Sequence, residues 1–378
     1  MPMPGRTLLV TNDFPPRRGG IETFCYELAV RMARRDGVVV YTSTSPGDRD
    51  FDAGLDFPVV REATATLLPT RRVADRAAAL LREHACDRVL FGAAAPLGLA
   101  ARRLRAAGAR RIVAITHGHE VWWARLPGSR ALLRRIGREV DVLTCLGDFT
   151  RAELERALAP ADRAKLVRLT PGVDPDLFHP GVDGSGVRAR YGLGEAPVVL
   201  CAARLVPRKG VDALIRAMTW VRGRLPGARL LVVGEGPDER RLRDLAAWAG
   251  VEEEVVFAGG HPHAELPAFF AAADVFAMPS RTRRLGLEAE GLGIVYLEAA
   301  ASGLPVLVGD SGGAPDAVRH GRTGFVVDGR DPRAVAGHLV ALLADPAAAG
   351  AMGERGRAWV LAEWTWKASA ERLFALLD

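Results

Sequence analysis

A chain of 378 residues is longer than one hydrophobic core usually supports, since single cores stop growing near roughly 250–300 residues, so two domains are expected. Hydrophobic residues make up 49% and charged residues 25%, which suits a folded, soluble globular protein and excludes a disordered one. The formal charge of +6 is uneven, with 28 Lys and Arg against 19 Asp and Glu in residues 1–170 and 23 against 26 in residues 171–378, so any anionic surface partner is expected on the first half.

In chain order, Arg6 to Thr11 is a short apolar run that reads as a buried strand, and after a Pro/Gly-rich loop Ile21 to Arg35 carries helical periodicity. Gly37 punctuates, and Val38 to Thr42 is β-branched and aromatic, completing a βαβ unit and implying a parallel sheet. Further strands are predicted at Arg88 to Phe91, Arg111 to Thr116, Val140 to Cys145 and Ala164 to Leu169. Past Thr170 the segment PGVDPDLFHPGVDGSG, with three prolines and four glycines, reads as a linker. The alternation then restarts: strand Pro197 to Ala203, helix Val211 to Val221, strand Arg229 to Val233 and helix Pro237 to Ala249. Strands follow at Val255 to Ala258, Val275 to Met278, Val306 to Val308 and Gly324 to Val327. The last thirty residues, with Trp359, Trp364 and Trp366, read as apolar terminal helices. The expected organisation is a doubly wound N-terminal domain over 1–172, a second over 173–358, and a segment 359–378 that packs back on the first. Two such sheets facing across a cleft would bind ligand at the carboxyl ends of their strands, an architecture shared by epimerases, phosphorylases and transferases.

The residues that carry chemistry sit at those strand ends. The loop Asn12-Asp-Phe-Pro-Pro-Arg-Arg-Gly-Gly20 leads into the first helix, and Gly19 and Gly20 let a ligand approach the backbone; it lacks GxGxxG, which disfavours a dinucleotide cofactor. Thr116-His-Gly-His-Glu120 follows another strand, and His119 suits a hydrogen bond to a sugar hydroxyl better than a metal, there being no third ligand at sensible spacing. Arg204 and Lys209, in Ala203-Arg-Leu-Val-Pro-Arg-Lys-Gly210, can converge on a diphosphate, with Arg208 as the competing candidate. Glu290 and Glu298 lie eight positions apart; Gly291 and Gly293 break any continuous helix, so Glu290 is expected on a loop and Glu298 in a helix starting at Ile294. Four cysteines without CxxC spacing, Cys25, Cys86, Cys145 and Cys201, argue against zinc and disulfides and read as small buried groups. No signal-peptide pattern and no run of ~18 apolar residues is present, so a cytoplasmic protein is expected. The arginines at 102, 103, 105, 110 and 111 and at 130, 134, 135 and 138 are compatible with an anionic membrane surface, nucleic acid or plain solvation.

The motifs TNDFPPRRGGIE, THGHEVWW, RLVPRKG and SRTRRLGLEAEGLGIVYLEA, in this order, resemble the retaining GT-B glycosyltransferases of family four over essentially the whole chain. They are most similar to the group of GDP-mannose-dependent phosphatidylinositol monomannoside mannosyltransferases. The resemblance implies a transferase that moves mannose from GDP-mannose to a phosphatidylinositol mannoside, by an alpha-1,6 linkage, peripherally at the inner face of the membrane. Arg204 and Lys209 would hold the donor diphosphate, Glu298 the ribose, and Glu290 and His119 the transferred sugar, with Gly19 and Gly20 closing over it. Gly259 to His263, including His261, would border the base, and Asp13 would face the acceptor. His261-Pro-His263 departs from the simpler residues usual in that group. No tightly bound cofactor, metal site or nucleic-acid partner is implied. Trp122 and Trp123 stand open as interfacial contacts or as core. The alternatives are a soluble sugar or aminocyclitol acceptor, a nucleotide-sugar epimerase, and a non-catalytic nucleotide-sugar binder.

Overall fold

Short runs rich in valine and leucine form strands, and the amphipathic stretches between them form the helices that carry the chain back to start the next strand. The computed structural model describes residues 5–17, 19–286 and 288–378. It divides into two units, Met1–Pro171 with Trp366–Asp378, and Gly172–Thr365.

The N-terminal unit contains β1 (Arg6–Val10), β2 (Val38–Ser43), β3 (Val59–Glu62), β4 (Cys86–Phe91), β5 (Arg111–Ala114), β6 (Val142–Cys145) and β7 (Leu166–Arg168). They form one sheet in the order β3-β2-β1-β4-β5-β6-β7, with every pairing parallel. Alternate residues point to opposite faces. Leu8, Val10, Val39, Tyr41 and Val89 enter one apolar layer, while Leu9, Val38, Val40 and Leu90 enter the other. Burial on both faces is what an all-parallel sheet demands, and each such side chain contributes about 1.5–3 kcal/mol relative to exposure. Helix Gly20–Arg35 buries Phe24, Cys25, Leu28, Ala29 and Met32, a stripe at helical spacing.

The C-terminal unit contains β8 (Val198–Ala202), β9 (Arg229–Val233), β10 (Val255–Gly259), β11 (Val275–Met278), β12 (Val306–Gly309) and β13 (Gly324–Val327), in the order β10-β9-β8-β11-β12-β13 and again all parallel. In each sheet the connections run one way from the first strand and then reverse, between β1 and β4 and between β8 and β11. Loops at such reversals leave a crevice outside the strand ends, where ligands of open α/β sheets bind.

The return of the chain to the N-terminal unit falls at Trp366 and not at the expected 359. Trp359 and Trp364 pack edge to face at 5.4 Å, and Val173 N donates to Trp364 O at 2.7 Å, which keeps both tryptophans in the C-terminal unit. Helix Trp366–Leu377 then adds Leu373 and Leu377 to a core layer of the N-terminal unit. Trp366 lies 5.9 Å from Phe24, Ser369 Oγ donates to Thr170 O at 2.6 Å, and Arg35 donates to Asp378 at 2.7 Å. Among the described residues no single helix is long and apolar enough to cross a membrane.

Candidate active site

In the C-terminal unit the site begins with a close approach of two loops. Gly210 has φ 78°, and a Cβ there would lie 2.0 Å from Pro279 O, at the end of β11. Only glycine tolerates both the left-handed backbone and the contact. With the loops this close, Lys209 Nζ and Arg208 Nη1 each donate to Glu290 Oε2 at 2.7 Å. Glu290 is 7% exposed. Burial raises its pKa, but the charges and hydrogen bonds of Lys209 and Arg208 outweigh burial and hold it below the ordinary glutamate range. Its backbone is pinned as well: Glu290 N donates to Ser311 Oγ at 3.2 Å, and Gly313 N donates to Glu290 O at 2.8 Å. Gly312, φ 55°, permits this approach, since a Cβ there would lie 2.2 Å from Glu290 O.

Of the expected cationic pair, Lys209 is in this cluster and Arg204 is not. Arg204 is exposed and, among the described residues, its side chain makes no hydrogen bond or ion pair. Arg208, the competing candidate, stands in its place beside Glu290. Glu290 is on a loop and Glu298 is buried within helix Ile294–Ala301, where His263 Nε2 donates to Glu298 Oε1 at 2.7 Å. That bond raises the His263 pKa above its ordinary value, against an opposing contribution from burial. His261 is turned inward: its ring sits 4.5 Å from Phe269 and bonds Glu265 at 2.7 Å and the Tyr191 hydroxyl at 3.0 Å. The His261 side chain is thus engaged within the unit, while the His263 side chain stays largely exposed. The pairing of His263 with Glu298 was not read from sequence, although the unusual His261-Pro-His263 marked the segment.

In the N-terminal unit, Thr11 directly follows β1 and its hydroxyl accepts from Asp13 N at 2.9 Å. Asp13 is half-buried, and burial, followed by the charge of Glu22, raises its pKa, while His119 and Arg17 lower it. Asp13, Glu22, His119 and Glu120 thus share one electrostatic neighbourhood. His119 immediately precedes the short helix Glu120–Arg125 without a side-chain capping bond to it, and its Nε2 lies 3.3 Å from Glu120 Oε1. Glu120 is fully buried and accepts from His117 N at 2.9 Å; His117 in turn donates from Nε2 to Gly92 O. His117 is therefore spent on structure, and burial lowers its pKa. Gly19 and Gly20 are exposed, and a Cβ at Gly20 would meet no protein atom within 4 Å. Among the described residues no three His, Cys, Asp or Glu side chains group as metal ligands. The four thiols are buried and unpaired; burial pushes Cys25 and Cys201 up to about 12.

Two parallel-sheet units, each with charged and glycine-bearing loops where its connections reverse, define a doubly wound, Rossmann-like α/β protein. Residues 18–177 match the family model "Glycosyltransferase Family 4" and residues 187–359 match "Glycosyl transferases group 1". The chain belongs to this family of glycosyltransferases. It is 50% identical over 375 residues, 98% of each chain, to the GDP-mannose-dependent alpha-(1-6)-phosphatidylinositol monomannoside mannosyltransferase of Mycolicibacterium smegmatis. It is 45% identical over 378 residues, 99% of this chain and 98% of the relative, to the GDP-mannose-dependent monoacylated alpha-(1-6)-phosphatidylinositol monomannoside mannosyltransferase of Corynebacterium glutamicum. Its fold is similar to that of Anabaena Alr3699/HepE in complex with UDP, with a TM-score of 0.81, 19% identity and 99% of each chain covered.

Proposed function

We propose that this enzyme transfers mannose from GDP-mannose to a phosphatidylinositol mannoside with retention of configuration, forming an alpha-1,6 linkage. The observation that carries the proposal is the Glu290 carboxylate held by Lys209 and Arg208 where the C-terminal sheet reverses, in a chain 50% identical to a protein named for that reaction. Lys209 and Arg208, joined by the solvent-exposed Arg204, stabilise the negative charge that grows on the departing diphosphate. Glu290 grips a hydroxyl of the transferred sugar and Glu298 the ribose hydroxyls, while the backbone of Gly259 to His263 borders the base. On the N-terminal unit His119 bonds the sugar, Gly19 and Gly20 leave room for it, and Asp13 meets the acceptor. No side chain in this scheme acts as nucleophile. The bond from the acceptor oxygen to the anomeric carbon forms on the face from which the diphosphate leaves, and a leaving phosphate oxygen takes the acceptor proton. Catalysis then rests on positioning and charge neutralisation.

The lipid acceptor implies work at an anionic membrane surface, on the cytoplasmic side where nucleotide sugars are supplied. Helix Pro127–Glu139 exposes Arg130, Arg134, Arg135 and Arg138, next to exposed Leu126, Leu132 and Trp122, a combination suited to anionic headgroups. Trp123 packs instead against the core.

A thermal-shift panel tests the donor, because a ligand that prefers the native state raises the melting temperature. GDP-mannose is expected to stabilise more than UDP-glucose or UDP-N-acetylglucosamine, and the reverse order ends the donor assignment. Sedimentation with anionic vesicles at moderate salt tests the acceptor. Failure to bind them favours a soluble sugar, and conversion of donor without any acceptor points to an epimerase.

A further inference from the structure

Arginines from the ends of two strands of the C-terminal sheet converge on a pocket that the proposed reaction does not use. Arg281, Thr282, Arg283, Arg284, Gly286 and Arg330 line an open cavity of about 490 Å³, a size that holds a small polar ligand and not merely one ion. The first five follow β11, and Arg330 follows β13. Their counter-charges are too few. Arg281 donates to Asp212 at 2.7 Å, Arg330 lies 3.9 Å from Asp328, and Arg283 and Arg284 share Glu288, at 3.6 and 3.0 Å. Three carboxylates therefore face four guanidinium groups, and the side chains of Arg284 and Arg330 are 73% and 61% exposed.

The wall of the pocket is fixed despite that exposure. Arg330 Nη2 donates to Thr282 O at 2.6 Å, and Arg281 Nη1 donates to Gly329 O at 3.4 Å. Arg284 holds a left-handed backbone, φ 50°, which a non-glycine residue adopts at a cost of order 1–3 kcal/mol and which persists where surrounding structure imposes it. Guanidinium groups recognise phosphate oxygens with paired parallel hydrogen bonds, and a surplus of them beside a hydroxyl suits a phosphate ester.

We propose that this pocket is a second anion site, separate from the donor diphosphate site, which binds a phosphate monoester or diester. It shares no side chain with the Lys209, Arg208 and Glu290 cluster, yet two hydrogen-bonded links join them. Arg281 N donates to Arg208 O at 2.9 Å, and the Thr282 hydroxyl lies 3.2 Å from Ser311 Oγ, the group that accepts from Glu290 N. A phosphate held here steadies the loop that carries Glu290.

The test is the affinity of inorganic phosphate, by calorimetry at low salt, for the full-length protein and three variants. Binding is expected to survive in Lys209→Ala, to weaken at least about tenfold in Arg284→Ala/Arg330→Ala, and to tighten in Glu288→Gln, which frees two guanidinium groups. Both arginines are exposed, so the double variant folds, and the opposite sign for Glu288→Gln separates loss of a site from loss of structure. Phosphate binding that disappears in Lys209→Ala and is unmoved by the other two substitutions overturns the proposal, as does no phosphate binding at all. The same variants with glycerophosphoinositol and with vesicles containing phosphatidylinositol identify the source. Retention of the unaltered protein on phosphatidylinositol vesicles that is weakened in Arg284→Ala/Arg330→Ala marks a lipid headgroup, and binding of the soluble ester with vesicle retention unmoved by that substitution marks a free phosphate ester.

Discussion

The two loop clusters at the sheet reversals solve the same electrostatic problem in opposite ways. In the C-terminal unit a buried carboxylate, Glu290, meets two cations at 2.7 Å and is held ionised. In the N-terminal unit Asp13, Glu22 and Glu120 are close enough to repel one another, His119 and Arg17 offset them only in part, and the Asp13 pKa rises. One site sets two cations against a single carboxylate. The other holds one carboxyl group, that of Asp13, whose proton affinity is raised. A parallel sheet supplies both positions; the loop residues decide what each can do.

The largest effect expected on this contrast comes from its cationic side. Lys209→Ala and Glu290→Gln should each lower kcat/KM for transfer by about a hundred- to a thousandfold, the scale of a lost preorganised charge partner. Arg208→Ala should come close behind, since Arg208 shares the Glu290 oxygen with Lys209. Arg204→Ala should act mainly through KM, because nothing among the described residues positions its side chain before a ligand arrives. Steady-state kinetics with GDP-mannose check the order. An Arg204→Ala protein as impaired as Lys209→Ala would mean that Arg204, and not Arg208, is the working partner.

That order also shows where sequence was legible. Strand and helix alternation was plain because buried parallel strands are short valine-rich runs between breakers, as in Val198 to Ala202. The edge strand Val59–Glu62 is not legible in sequence: it is only half-buried and carries Arg61 and Glu62, so it lacks an apolar signature. Glu290 and Glu298 fell on a loop and a helix, as Gly291 and Gly293 implied. The choice between Arg204 and Arg208 was not legible, since both stand in one loop and only the turn Pro207–Lys209 decides which faces Glu290. Ion pairs formed across long sequence separations, such as His263 with Glu298, have no local pattern at all. The crossing point at Trp366 likewise depends on how Trp359 and Trp364 stack, whereas sequence showed only three apolar aromatic residues.

A smaller effect is expected on the carboxyl side. The Asp13 pKa is raised above 3.8 by burial first and by Glu22 next. A carboxyl raised in the folded state stabilises the fold while protonated, and loses that contribution as pH climbs from 3.8 through the folded value; at neutral pH its ionised form is a net cost. Asp13→Asn should therefore raise the melting temperature at pH 7 by roughly 2–4 °C, with the gain vanishing in acid, while transfer to the acceptor falls. Stabilisation without loss of turnover would remove Asp13 from the acceptor site, and no stabilisation would mean that its neighbours are better balanced than the contacts imply.

The smallest and most specific effect concerns His263. Its hydrogen bond to Glu298 raises its pKa above 6.5, with burial opposing. The sign is the same as for Asp13, in a higher pH window: the stability gained is fully present below 6.5 and is lost as pH rises through the folded value. The side chain is 58% exposed, so solvent screens the pair and little change in global stability is expected. The ring protons are the better reporter. In an NMR titration the His263 pKa should fall toward 6.5 in Glu298→Gln. It should also fall when GDP is added to the unaltered protein, because ribose hydroxyls compete for the Glu298 carboxylate that holds the proton on His263. A His263 titration insensitive to saturating GDP, with Glu298→Gln shifted as expected, would leave the ion pair intact and take the ribose contact away from Glu298.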